Sequence, residues 1–165
     1  MTSRWLDATE ERAWRGYRRL LTLLESRLAH DLAEDSELSM ADYTVLSNLA
    51  EAEDRRWRVS GLAERMQWSQ SRLSHQITRM ERRGLVAREQ VDEDGRGAVV
   101  VLTKPGLRAI AAATPGHMAA VRKHMIDLLD PDQLKVLGDV ADAVVDHLTA
   151  IEDSGERGRQ TPSTD

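Results

Sequence analysis

The segment from Trp68 to Val86, WSQSRLSHQITRMERRGLV, concentrates side chains that hydrogen-bond to base edges and phosphates. An arginine guanidinium matches O6 and N7 of guanine, a glutamine amide matches adenine, and a serine hydroxyl serves a base or a phosphate. At helical spacing Ser71, Arg72, His75, Gln76 and Arg79 fall opposite Leu73, Ile77 and Met80, with Ser69 and Gln70 at the exposed start. The pattern predicts a helix held to a core by its apolar stripe and offering the other side to DNA. Arg82 and Arg83 stand near its C-terminal end, where the helix dipole favours cations with or without a phosphate. A second probe is Arg96, set between two glycines in DEDGRG, where a thin loop would carry it into a minor groove. Asp92 or Asp94 beside it would position an arginine by a salt bridge, since carboxylates facing phosphates repel them.

Other chemistry is poorly served. The five histidines, His30, His75, His117, His124 and His147, fall in no nucleophile elbow, phosphate loop or metalloprotease pattern, so no catalytic residue and no cofactor is assigned. His117 and His124, seven apart, share a helical face with Asp127 within reach; surface histidines explain the spacing as well as a metal does, and no metal site is assigned. The chain has no cysteine, which removes disulfides, thiolate metal sites and a thiol redox switch.

Elements of definite type must position these residues. Thr9 to Ala33 is a long amphipathic helix carrying Ala13, Tyr17, Leu20, Leu21, Leu24, Leu28 and Leu32. Ser39 with Asp42 three positions on begins a second helix, about Met40 to Ala52. Arg58 and Val59 make a short extended piece, and Ser60 caps a short helix bearing Leu62, Ala63 and Met66. Gln67 and Trp68 form a turn, Ser69 caps the arginine-bearing helix, Trp68 staples onto Leu73, and Gly84 ends the helix. LVAREQV and AVVVLT then alternate as strands of a two-stranded hairpin. Thr103 starts a helix that Pro115-Gly116 should break or kink, and Asp130-Pro131-Asp132-Gln133 starts another, lined by Leu134, Leu137, Val140, Ala141, Val144, Val145 and Leu148. From Glu152 the chain is polar and glycine-bearing, as a disordered tail is.

Short helix, turn, capped helix and hairpin in that order describe a winged helix-turn-helix. The fold class is therefore mainly α with a small β-hairpin wing. A winged helix-turn-helix at 38–103 is flanked by N- and C-terminal dimerisation helices at 9–37 and 104–151, with residues 152–165 as the tail. The average charge of −5 over 165 residues argues against nucleic acid until it is divided. Residues 55–96 hold 10 Lys and Arg against 6 Asp and Glu, net +4, and the rest of the chain holds 13 against 22, net −9. No run of about 18 apolar residues occurs, so no membrane contact is expected, and the expected location is cytoplasmic.

The stretch from Arg58 to Gly106 resembles the winged-helix core of the multiple antibiotic resistance regulator (MarR) family of bacterial transcription factors. LAERM, MERRGLVAR, the D-x-D-x-R at Asp92 to Arg96 and VLTKPG carry the resemblance by their order and spacing. With its helical flanks the likeness extends over residues 10–151. It implies a homodimer with interlocked terminal helices on a palindromic double-stranded DNA operator. It also implies release by a small effector, often phenolic or aromatic, with repression the commoner outcome. Trp14, Tyr17, Tyr43, His117 and Met118 are the residues that would line an effector cleft, although aromatic and Met residues at helical spacing serve cores more often. The competing readings are a metal-responsive repressor and a winged helix used for protein contact; the second would show an apolar patch where this chain has arginines.

Overall fold

A computed structural model describes residues 5–90 and 98–159, apart from the side chains of Gln90 and of residues 152–159. The order is α1 (Ala8–Asp35), α2 (Met40–Glu51), β1 (Arg56–Arg58), α3 (Val59–Arg65), α4 (Gln70–Arg82), β2 (Val86–Gln90), β3 (Ala98–Leu102), α5 (Lys104–His124), a 3₁₀ turn (Ile126–Leu128) and α6 (Pro131–Arg159). Two compact units divide the chain, Met1–Val121 and Arg122–Asp165.

Local chemistry sets most of the boundaries. Asp7 accepts from the backbone of Thr9 and Glu10 while Glu10 reaches back to Asp7, starting α1 one residue before the expected Thr9. Ser39 and Asp42 form the expected reciprocal cap of α2, and Asp130 and Gln133 form that of α6. At the start of α5 the Thr103 hydroxyl accepts from the Gly106 amide. Ser60 is not a cap: α3 begins at Val59 behind Arg58, with no side-chain cap bond. Its extended neighbour is not isolated either. Arg56–Arg58 joins β3 as a third strand, so the expected two-stranded hairpin is a three-stranded antiparallel sheet of order β1-β3-β2. Sequence spacing hides this, because β1 pairs with residues more than 40 positions away and has only three residues of its own.

Two further expectations are corrected. Of the break or kink expected at Pro115-Gly116, the break does not occur: proline removes one donor, and α5 continues past it to His124. The α6 backbone continues to Arg159, eight residues past Ile151, where a disordered tail was expected to begin. Propagation adds one hydrogen bond per residue fixed, so an established helix runs on into polar sequence more readily than a new one starts.

The core of the first unit gathers Val45, Leu46, Leu49, Leu62, Leu73, Ile77, Met80 and Val100 with Leu32, Leu38, Ile110 and Ala113 around them. The winged-helix elements thus share one apolar interior with the end of α1 and the first turns of α5. Helix α1 spends little of its length there. Of its apolar stripe only Leu32 is buried, while Trp14, Tyr17, Leu20 and Leu21 stay exposed. In the second unit Leu137, Val140, Val144, Val145 and Leu148 of α6 are likewise exposed. Among the described residues no helix is long and apolar enough to cross a membrane.

Candidate nucleic-acid interface

Helix α4 is fixed at both ends. The Ser69 hydroxyl accepts from the Arg72 amide at 3.2 Å, and Gln67 takes a left-handed φ of 52° in the turn from α3. At the other end Gly84 adopts φ 71°, the left-handed conformation that glycine reaches at least cost. Leu73, Ile77 and Met80 are fully buried, as the spacing required. Ser69, Gln70, Ser71, Arg72, His75 and Arg79 are exposed. An open groove of about 550 Å³ runs along this face, walled by Trp68, Arg72, His75, Arg79 and Arg82 and reaching Ala41 of α2.

Gln76 does not share that exposure. It is 4 % exposed, and its amide nitrogen donates to Asp42 Oδ1 at 2.7 Å. Its oxygen accepts from Arg79 Nη2. The expectation of an outward adenine reader is corrected: positions 73, 76, 77 and 80 complete one helical stripe, and Gln76 is the polar member of the buried side. Burial is tolerated because both ends of the amide are bonded.

Arginine partners sort by position. Arg56 pairs with Glu89 at 2.6 Å, Arg65 with Glu51 at 3.1 Å, Arg88 with Glu81 at 2.9 Å and Arg83 with Asp42 at 2.7 Å. Arg83 also donates to the Glu37 carbonyl at 2.6 Å, so its work at the end of α4 is to tie that end to the start of α2. Among the described residues, Arg72, Arg79 and Arg82 have no carboxylate partner. Arg72 instead lies 3.9 Å from the centroid of the Trp68 ring, and Trp68 packs against the core. This contact escaped the sequence reading, which paired Trp68 with Leu73.

Asp42 is the other residue that sequence reasoning undervalued. Its place three after Ser39 announces the cap, but its bonds to Gln76 and Arg83 span 34 and 41 residues. Burial by itself would raise the Asp42 carboxyl; the hydrogen bonds from Arg83 and Ser39 and the charge of Arg83 outweigh it and hold the group below the usual carboxylate value.

The expected wing tip, Asp92, Glu93, Asp94 and Arg96, lies outside the described residues. Its base is in place, with Val86 opposite Leu102 and Gln90 opposite Ala98.

The residues expected around an effector divide. Tyr43 on α2 meets His117 on α5 with ring centroids 4.4 Å apart. His117 Nδ1 is buried with no hydrogen-bond partner, and burial, which disfavours the charged ring, lowers its pKa. Trp14 and Tyr17 stack on each other at 6.1 Å on exposed α1, and Met118 is exposed. The only three potential metal donors brought together among the described residues are His30, Asp31 and Glu34, not His117, His124 and Asp127; Asp127 is bound by Arg122 at 2.5 Å.

A protein-family model described as the MarR family matches residues 38–97, the span from α2 to the wing. Among solved structures, the chain is similar to AbsC, a MarR family transcriptional regulator from Streptomyces coelicolor. That likeness has 44% identity and a TM-score of 0.83 and covers 90% of this chain and 99% of AbsC. It is also similar to a second Streptomyces coelicolor MarR family transcriptional regulator, solved in complex with DNA, at 39% identity and a TM-score of 0.83, covering 88% of this chain and 91% of that one. A curated relative, an uncharacterized HTH-type transcriptional regulator from Bacillus cereus, is 25% identical over 122 residues, covering 74% of this chain and 80% of the relative.

Proposed function

The chain belongs to the MarR family of transcriptional regulators, and we propose that it is a sequence-specific repressor that binds a palindromic operator as a homodimer and leaves it when a small aromatic or phenolic effector binds. The observation that carries DNA binding is the sorting of arginines. Arg56, Arg65, Arg83 and Arg88 of the winged helix are matched with carboxylates, whereas Arg72, Arg79 and Arg82 converge on the groove without one among the described residues. Charge left unmatched on one face of an acidic chain attracts a polyanion, and α4 has the width and side chains for a major groove. Ser69, Gln70 and Ser71 at its start would contact bases or backbone, Arg72, His75 and Arg79 would reach base edges, and Arg96 would enter the neighbouring minor groove. The DNA-bound state of the Streptomyces coelicolor relative supports this reading.

Dimerisation is supported by the exposed apolar faces of α1 and α6, which a lone chain leaves in water. Two copies of α4 about 34 Å apart would meet successive major grooves on one side of the duplex. Effector release is supported by the Tyr43–His117 contact, which sets an aromatic ring beside a buried nitrogen that has no hydrogen-bond partner.

Footprinting on the DNA upstream of its own gene tests the proposal. The expected result is a symmetric protected region that weakens steeply with salt, loses affinity in Arg96→Ala with the fold intact, and disappears on titration with a phenolic acid such as salicylate. Absence of protection, or binding indifferent to salt, would overturn the DNA-binding reading; protection that no phenolic or aromatic acid relieves would overturn the effector alone.

A further inference from the structure

The groove face of α4 is braced from behind by a residue of another helix. Asp42 on α2 is 3 % exposed, and both of its carboxylate oxygens are engaged. Oδ1 accepts from Gln76 Nε2 at 2.7 Å; Oδ2 accepts from Arg83 Nη1 at 2.7 Å, from the Ser39 amide at 2.9 Å and from the Ser39 hydroxyl at 2.8 Å. An ionised carboxylate only accepts, so the Gln76 amide must turn its NH₂ inward and its oxygen toward the groove. That oxygen is what holds Arg79. The reversed amide would set oxygen against carboxylate and NH₂ against guanidinium, two repulsions in place of two bonds.

We infer that Asp42 is a positioning residue for DNA recognition, acting through Gln76 to hold the Arg79 guanidinium in place before DNA arrives. The inference rests on the reading of the α4 face given above. An arginine already confined gives up less rotamer freedom when it binds, and its planar fork arrives in one orientation instead of many. The remaining N–H groups of Arg79 stay available to the groove.

The test is a double-mutant cycle in the full-length chain, using the best duplex selected from a random-sequence pool at one fixed salt concentration. Gln76→Met keeps the volume and removes both amide bonds. It should weaken binding about three- to tenfold in the parent background and change nothing further in Arg79→Ala. Equal losses in both backgrounds would overturn the inference, because Gln76 would then act independently of Arg79. If Arg79→Ala itself bound like the parent, the reading of the α4 face would fail and the inference with it, a distinguishable outcome. Should Gln76→Met be unfolded at the assay temperature, Asp42→Asn takes its place in the cycle. Its amide can offer a donor to Gln76 and reverse that side chain, so the same non-additive pattern is expected and the same additive one would overturn it.

Discussion

Asp42 shows how one side chain serves two scales of structure. It closes the cap of α2 with Ser39 and, through Gln76 and Arg83, fastens α2 to the helix that faces the groove. Its carboxyl lies below the ordinary value of 3.8, so in acid the unfolded chain takes up this proton first. The stabilisation is fully present above that ordinary value and is lost as pH falls through the lower folded one. Asp42→Asn should therefore be less stable at neutral pH and show a shallower loss of stability in acid. Urea unfolding midpoints followed from about pH 6 down to pH 3 will measure this, and parallel slopes for the two proteins would contradict it. Gln76 carries a related lesson: glutamine is chemically suited to reading adenine, but its position in the repeat decided that it would face inward.

At the scale of elements, the junction between the wing and α5 has the least room for change. The Thr103 hydroxyl donates toward the carbonyls of Gly84 and Leu85 at 2.7 and 2.9 Å, and a Cβ placed on Gly106 would lie 2.0 Å from the Leu85 carbonyl oxygen. Backbone on both sides of that contact leaves nothing flexible to move aside. Gly106→Ala should cost about 3 kcal/mol or more, at the upper end of what overpacking does. Gly84→Ala meets open space and suffers only the left-handed backbone, about 1 to 2 kcal/mol. Thermal melting of the two variants ranks them, and a Gly84 variant that melted lower than the Gly106 variant would refute this assignment of the contact. The helices are easier to read from the chain than the sheet. Caps at Ser39, Ser69 and Asp130 act within three residues, whereas β1 needs a partner from the far side of α4.

The molecule as a whole separates charge and leaves apolar surface for company. Positive charge is concentrated in residues 55–96 of an otherwise acidic chain, and within that stretch Arg56, Arg65, Arg83 and Arg88 are each paired with a carboxylate. On α6, Val140, Val144 and Leu148 fall at helical spacing with more than half of each side chain in water. If those faces join two copies, Val144→Asp with Leu148→Asp should yield a monomer that retains its winged helix but binds a two-half-site duplex about a hundredfold more weakly. Sedimentation and a titration on the same DNA would show both effects; a dimer that survived the double substitution would place the interface elsewhere.

By itself the sequence determined the helices, the caps at Ser39, Ser69 and Asp130, the apolar stripe of α4, the glycine that ends it, and the clustering of positive charge on a winged helix-turn-helix. All of these arise from neighbours within a turn or two along the chain, where periodicity and capping chemistry act. Only the tertiary structure decided that Gln76 turns inward to Asp42, that Arg83 ties helices while Arg72 rests on Trp68, that β1 completes the sheet, and that Tyr43 meets His117 while Trp14 stacks on Tyr17. Most of these depend on partners 30 or more residues apart. Local spacing can name the side of a helix, but the depth of a side chain and the identity of its partner are fixed only when distant segments fold together.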